Sequence, residues 1–172
     1  MHGHGTEAVD WPDAYFGLDY VDAGYALASL DSRVLYADNL ETEVGRELLE
    51  AGTNLMGVHV YEALVVHKVL RSLATVGPIG LIGHSAGAGK VDVLAWSVDG
   101  FFAVVSDNTL WVDRTEERGR YHEGWVPGLA GWEDALNDLD AAPVPALMRA
   151  YGFPNGSNAV IAFLDQALLS AP

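Results

Sequence analysis

Gly83-His84-Ser85-Ala86-Gly87 constrains this chain more than any other stretch, because it turns a strand sharply into a helix at a serine. Ahead of it runs the short apolar segment Ile79-Gly80-Leu81-Ile82, bounded by Pro78. Behind it, Ala88 to Trp96 carries Val91, Leu94 and Ala95 at helical spacing. G-x-S-x-G between an apolar strand and a periodic helix is the pattern of a nucleophile elbow. Glycines flank the serine because the turn is strained and neighbouring backbones pass too close for side chains. Ser85 is therefore expected at the carboxyl edge of a sheet, beside the helix N-terminus and the Ala86 N–H, where a developing oxyanion can be stabilised. Gly83 to Gly89-Lys90 also approaches the phosphate-binding pattern G-x-x-x-x-G-K-[ST]. It has one residue too many, and Val91 stands where a magnesium-binding hydroxyl is needed.

At 172 residues, half of them hydrophobic, the chain suits one domain with a substantial core. No apolar run reaches the length of a membrane span and no signal peptide opens the chain, so a cytoplasmic protein that does not enter membranes is expected. The absence of cysteine excludes disulfides, thiolate metal sites and a cysteine nucleophile. A net charge of −15 argues against nucleic acid, whose phosphates it would repel.

Residues 1–21 read as loop with a helical turn, and Gly24–Asp31 as a buried strand. Asp38–Gly52 reads as acidic loop with a short helix. Thr53 or Asn54 can cap a long helix to Leu73 whose apolar stripe is Met56, Val60, Leu64, Val65 and Val69. After the elbow and its helix come a strand over Phe101–Val105, a short strand over Val144–Arg149 and a terminal helix over Asn158–Leu169. The intervening 106–142 is irregular, charged and tryptophan-containing, like a small lid. Strands alternating with helices give the fold class: α/β, a mostly parallel sheet with flanking helices, in a single domain over 1–172.

These residues resemble the α/β-hydrolases, in particular the branch of dienelactone hydrolases and acetyl-xylan esterases. His2-Gly3-His4-Gly5 is similar to the family's H-G-x-G loop, whose backbone completes the oxyanion hole. Gly24–Arg33 looks like the fourth strand and the Asp-x-Arg turn after it. Leu55-Met56-Gly57-Val58 opens what looks like the helix beside the elbow, and Tyr121–Leu129 is similar to the segment after the sixth strand. The resemblance starts inside the oxyanion loop, so the family's first three strands have no counterpart and the expected fold is a partial one. It also implies a terminal catalytic histidine. None follows His122 in the sequence, and Asn155 or Asn158 stands roughly in its place.

A serine hydroxyl needs a base within hydrogen-bond reach. Our reading places Ser85 as nucleophile, His122 as substitute base and Asp107, after the Phe101–Val105 strand, as the acid orienting it. His4, Gly5 and Ala86 supply the oxyanion hole, and His84 and Trp125 line the substrate pocket, with Trp111 and Trp132 as further walls. His59 and His67 read as structural, and Asp31 as a partner of Arg33 or neighbouring backbone. His2 and His4 give only a weak metal signal, so no metal and no cofactor is assigned. The implied activity is hydrolysis of small carboxylic esters. The alternatives are an inactive homologue of the fold acting by binding, and a fragment that associates with itself through an open sheet edge, so a homo-oligomer is also considered.

Overall fold

Every residue of Phe101–Asp107 is buried, as in a parallel strand whose two faces are both covered by helices. This strand, β2, pairs in parallel with β1 (Ile79–His84) on one side and β3 (Leu147–Ala150) on the other, giving the order β1-β2-β3. The structure is a computed structural model that describes residues 1–3, 5–34, 38–107, 144–150 and 157–170. The β1–β2 register skips Phe102, pairing Ile79 with Phe101 and Gly80 with Ala103. That irregularity puts Phe102 and Ala103 on the same face, where strict alternation would separate them.

Helices cover both faces. On one side Trp11, Tyr15 and Tyr20 pack with Phe102, Ala103, Val105 and the buried stripe Val160, Leu164 and Ala167. Trp11 lies in α1 (Trp11–Ala14), Tyr20 in α2 (Gly17–Asp22), and the stripe in α6 (Asn158–Ser170). On the other side Ala63 joins Val91, Leu94, Ala95, Phe101 and Val104. Ala63 belongs to α4 (Leu55–Ser72), and Val91 to Ala95 belong to α5 (Ala86–Ser97). The residues of α5 from Ala86 to Asp92 are all buried, so the helix is wrapped by its neighbours and needs no polar face.

The elbow strand, its helix and the Asn54 cap stand where the sequence places them, and Asn54 Oδ1 accepts a hydrogen bond from Gly57 N–H at 2.8 Å. Other expectations are corrected. Gly24–Asp31 forms no strand: Gly24 turns at φ 96° and the segment runs irregular and largely exposed. Tyr25 is drawn to α6 by a 2.6 Å bond from its hydroxyl to Asp165. A cavity of about 520 Å3 separates Ala26–Leu30 from β1, so no neighbouring strand offers the segment a ladder.

Asp38–Glu50 is a continuous helix, α3. Its inward positions 41, 44, 45, 48 and 49 keep helical spacing, but Glu41 and Gly45 interrupt the apolar stripe that would reveal it. Residues 8–22 hold a 3-10 turn, α1 and α2. The buried face of α4 runs through Leu55, Met56, His59 and Ala63, which leaves Val65 and Val69 exposed.

Candidate functional site

Ser85 joins β1 to α5 with φ 51° and ψ −118°, a conformation non-glycine residues avoid at a cost of about 1–3 kcal/mol. The surrounding contacts hold it there. A Cβ on Gly83 would lie 2.3 Å from the Gly87 carbonyl oxygen, and one on Gly87 would lie 2.2 Å from that of Met1. Both glycines are thus required by backbone packing. Residues 1–3 cross the head of the elbow: Met1 N donates to Ile82 O at 2.6 Å, and His84 N to Met1 O at 3.1 Å. A Cβ on Gly3 would stand 3.0 Å from Ser85 Cβ.

Asp107, at the carboxyl end of β2, grips the same turn twice. Its carbonyl accepts the Ser85 N–H at 2.9 Å, and its carboxylate meets His84 Nδ1 at 2.5 Å. Asp107 is fully buried, so this contact is shielded from water and stronger than a surface pair of the same geometry. Nδ1 carries the proton in the bond, which fixes the His84 tautomer. The His84 ring also lies 5.0 Å from that of Tyr15, whose hydroxyl is 3.1 Å from Thr6 Oγ1. Tyr20, on the same face, is held neutral well past the usual phenol range by burial first, then by Asp19 and Asp107.

A buried polar chain runs behind residues 1–3. Lys90 Nζ donates to Ser32 Oγ at 2.7 Å, and Ser32 N donates to His2 Nε2 at 3.0 Å. With Nε2 accepting, His2 Nδ1 carries the proton and donates to Gly3 O at 2.9 Å. Thr6 Oγ1 reaches the same carbonyl at 3.0 Å. Burial, and after it the Lys90 and N-terminal charges, lower the His2 pKa, against opposing contributions from the Gly3 contact and Asp31. On the far side of α5, buried Asp92 faces Arg149 of β3 at 3.8 Å.

Of the residues the sequence points to, Ser85, His84, Ala86 and Asp107 come together at the β1–α5 junction. Gly5, two residues after Gly3, turns at φ 70°. His4, His122 and the tryptophans Trp111, Trp125 and Trp132 lie outside the described residues. Asp107 faces His84, a partner the sequence reading did not foresee, since a strand pairing 23 residues apart leaves no local signature. Arg33 pairs with Glu62, while Asp31 instead accepts the Ala8 N–H at 2.5 Å. His59 donates to the Arg33 carbonyl at 2.9 Å, and the His67 ring lies 4.5 Å from that of Phe101. Sequence reasoning gave Thr6 and Tyr15 no part in the site, and met Gly3, Ser32 and Lys90 only inside motifs, without the contacts they make. A lysine two residues before Asp92 in the otherwise apolar stretch Ala86–Trp96 was the available signal for the last.

Among the described residues no group of three or more His, Cys, Asp or Glu is placed to hold a metal, and no helix is long and apolar enough to cross a membrane. The 520 Å3 cavity lies along the outer edge of β1 and is lined by Ile79, Leu81, Phe102 and Leu164 among others. It does not include His84, Ser85 or Asp107. No protein-family model, curated protein or solved structure matches the chain.

Proposed function

We propose that the chain is a serine-dependent hydrolase of small carboxylic esters, with Ser85 as nucleophile. The observation that carries this reading is the strained Ser85 backbone at a strand–helix junction, enforced by two glycines that cannot bear a Cβ. Such strain persists only where the surroundings over-determine it, and it concentrates at functional sites. In the proposed reaction the Ser85 hydroxyl attacks the ester carbonyl while a base takes its proton. The oxyanion is received by the first N–H of α5, that of Ala86, and by the backbone around Gly3–Gly5. Collapse of the tetrahedral intermediate expels the alcohol, which takes the proton from the base, and water then cleaves the acyl-enzyme by the reverse proton path. His122 is the base in this reading, with Trp125 against the acyl group. Asp107 and His84 act beneath the nucleophile, clamping the turn through the Ser85 N–H and the His84 ring.

One observation favours a second reading, a protein that keeps the elbow but binds without turnover. The acid expected to orient the base already holds His84. Turnover of short-chain p-nitrophenyl esters by wild type, Ser85→Ala and His122→Asn separates the two. The hydrolase reading expects activity in wild type and its loss in both variants, with Ser85→Ala still folded. Activity unchanged in Ser85→Ala would sink it, and no activity in well-folded wild type on any ester of the series would favour the binding reading.

A further inference from the structure

Helix α5 is buried from Ala86 to Asp92, and its position 90 would be filled at least cost by an apolar side chain. Lys90 is there instead, fully buried, and bringing an ammonium out of water costs several kcal/mol unless its donors are used. One of those donors fixes Ser32 Oγ at 2.7 Å. Ser32 is itself buried and stands with its backbone N–H on His2 Nε2, and His2 in turn holds the Gly3 carbonyl. Gly3 is the residue whose backbone stands against Ser85. The chain Lys90–Ser32–His2–Gly3 thus ties the interior of the elbow helix to the segment that crosses the elbow's head.

We propose that Lys90 is a positioning residue for the nucleophile: through Ser32 and His2 it sets the backbone of residues 1–3 at the distance from Ser85 that an oxyanion donor requires. Its effect on turnover rests on the hydrolase reading, whereas the order it imposes on His2 does not. Ser32 is held from two sides, so its N–H stays aimed at the imidazole and His2 remains in the single Nδ1–H tautomer. Protonation would place a second donor opposite the Ser32 N–H and release the ring. The titratable groups facing His2 are Lys90, Asp31 at 3.8 Å, and the Met1 amine, which burial lowers to about 4 and so leaves neutral near pH 7. Releasing the ring on its Ser32 side unties residues 1–3 from α5 and leaves Gly3 held only by local contacts, among them Thr6 Oγ1. A displacement of about 1 Å at a reacting centre is enough to cost about a hundredfold in rate.

The test compares wild type with Lys90→Met, which keeps the length and packing of the side chain but removes its donors and charge. Two readouts are taken: imidazole nitrogen shifts of protein labelled in histidine, near pH 7.5, and kcat and KM for p-nitrophenyl acetate. Wild-type His2 is expected as one tautomer with Nδ1 protonated. In Lys90→Met its signals should move toward a mixture of tautomers, and kcat should fall 10- to 100-fold with KM within about twofold. A folded Lys90→Met with wild-type His2 shifts and wild-type kcat overturns the proposal. A loss confined to KM overturns it too, since that marks altered substrate binding. Should Lys90→Met fail to fold, Ser32→Ala cuts the same connection at its middle, and the same shifts and the same fall in kcat are required of it. Should wild type show no Ser85-dependent hydrolysis, the hydrolase reading falls alone. The His2 shifts in Lys90→Met then still decide whether Lys90 governs this segment.

Discussion

Replacing Gly87 by alanine tests the packing that holds the elbow. The new Cβ would lie 2.2 Å from the Met1 carbonyl oxygen and 2.7 Å from that of His2, both backbone atoms with no flexible end to swing aside. Ordinary contact begins near 3.4 Å, so residues 1–2 must retreat by about 1.2 Å (3.4 − 2.2). That retreat breaks the Met1 N to Ile82 O bond of 2.6 Å and the His84 N to Met1 O bond of 3.1 Å. At about 1 kcal/mol each the two bonds are worth roughly 2 kcal/mol. Holding the segment in place instead leaves overpacking of similar size, about 1–3 kcal/mol. Alanine's helical advantage over glycine, about 1 kcal/mol in a helix interior, is smaller in the first turn where Gly87 sits. The expected net loss is about 2 kcal/mol, which for a chain of this length lowers Tm by roughly 4–8 °C. Circular dichroism melts provide the assay, with Gly57→Ala in the first turn of α4 as control. There the Cβ meets nothing nearer than Asn54 Oδ1 at 3.4 Å, so Tm should hold or rise slightly. A Gly87→Ala protein as stable as wild type would refute the crossing of residues 1–3 over the elbow.

Three further outcomes are expected. Asn54→Ala removes the acceptor for Gly57 N–H and should cost about 1 kcal/mol in a denaturant titration, with the m-value unchanged. Burial lowers the His2 pKa from its ordinary 6.5, so between the two values the unfolded chain binds more protons than the native one. The stability that this shift contributes is complete above about pH 6.5 and declines as pH falls below it. His2→Asn should make that part of a plot of unfolding free energy against pH shallower, the remaining slope coming from the buried Met1 amine and His67, both also lowered by burial. Burial, followed by the bond to Asp165, pushes the Tyr25 phenol up to about 12. Ultraviolet titration should show one tyrosine ionising there that vanishes in Tyr25→Phe, and an ordinary titration near pH 10 would contradict the Tyr25–Asp165 contact.

What was legible in the sequence was what short-range geometry dictates. The strand–Ser85–helix turn is written in two glycines and the apolar runs on either side, and the α4 start in Asn54 and its following helix. Central strand β2 shows as Phe101–Val105, although it extends to Asp107 because β3 pairs with its carboxyl end. What stayed hidden depends on partners distant in sequence. Gly24–Asp31 has strand composition, yet a strand needs a neighbour to pair with, and a cavity lies between it and β1. Helix α3 was masked by Glu41, a carboxylate at a buried position of its inner face. The site behaved in the same way. Ser85 announced itself through a local motif, while the grip of Asp107 on His84 and the Lys90–Ser32–His2 chain arise from register and from crossings 23 to 58 residues apart.

The central claim is that Ser85 is an activated nucleophile, and covalent labelling addresses it most directly. Wild-type protein is treated with a fluorophosphonate at neutral pH and digested, and the peptide spanning the β1–α5 junction is sequenced by tandem mass spectrometry. The phosphonyl group should reside on Ser85, formed with loss of fluoride, and labelling should disappear in Ser85→Ala and slow markedly in His122→Asn. An unmodified Ser85 in folded protein, or a label that persists elsewhere after Ser85→Ala, would contradict the account.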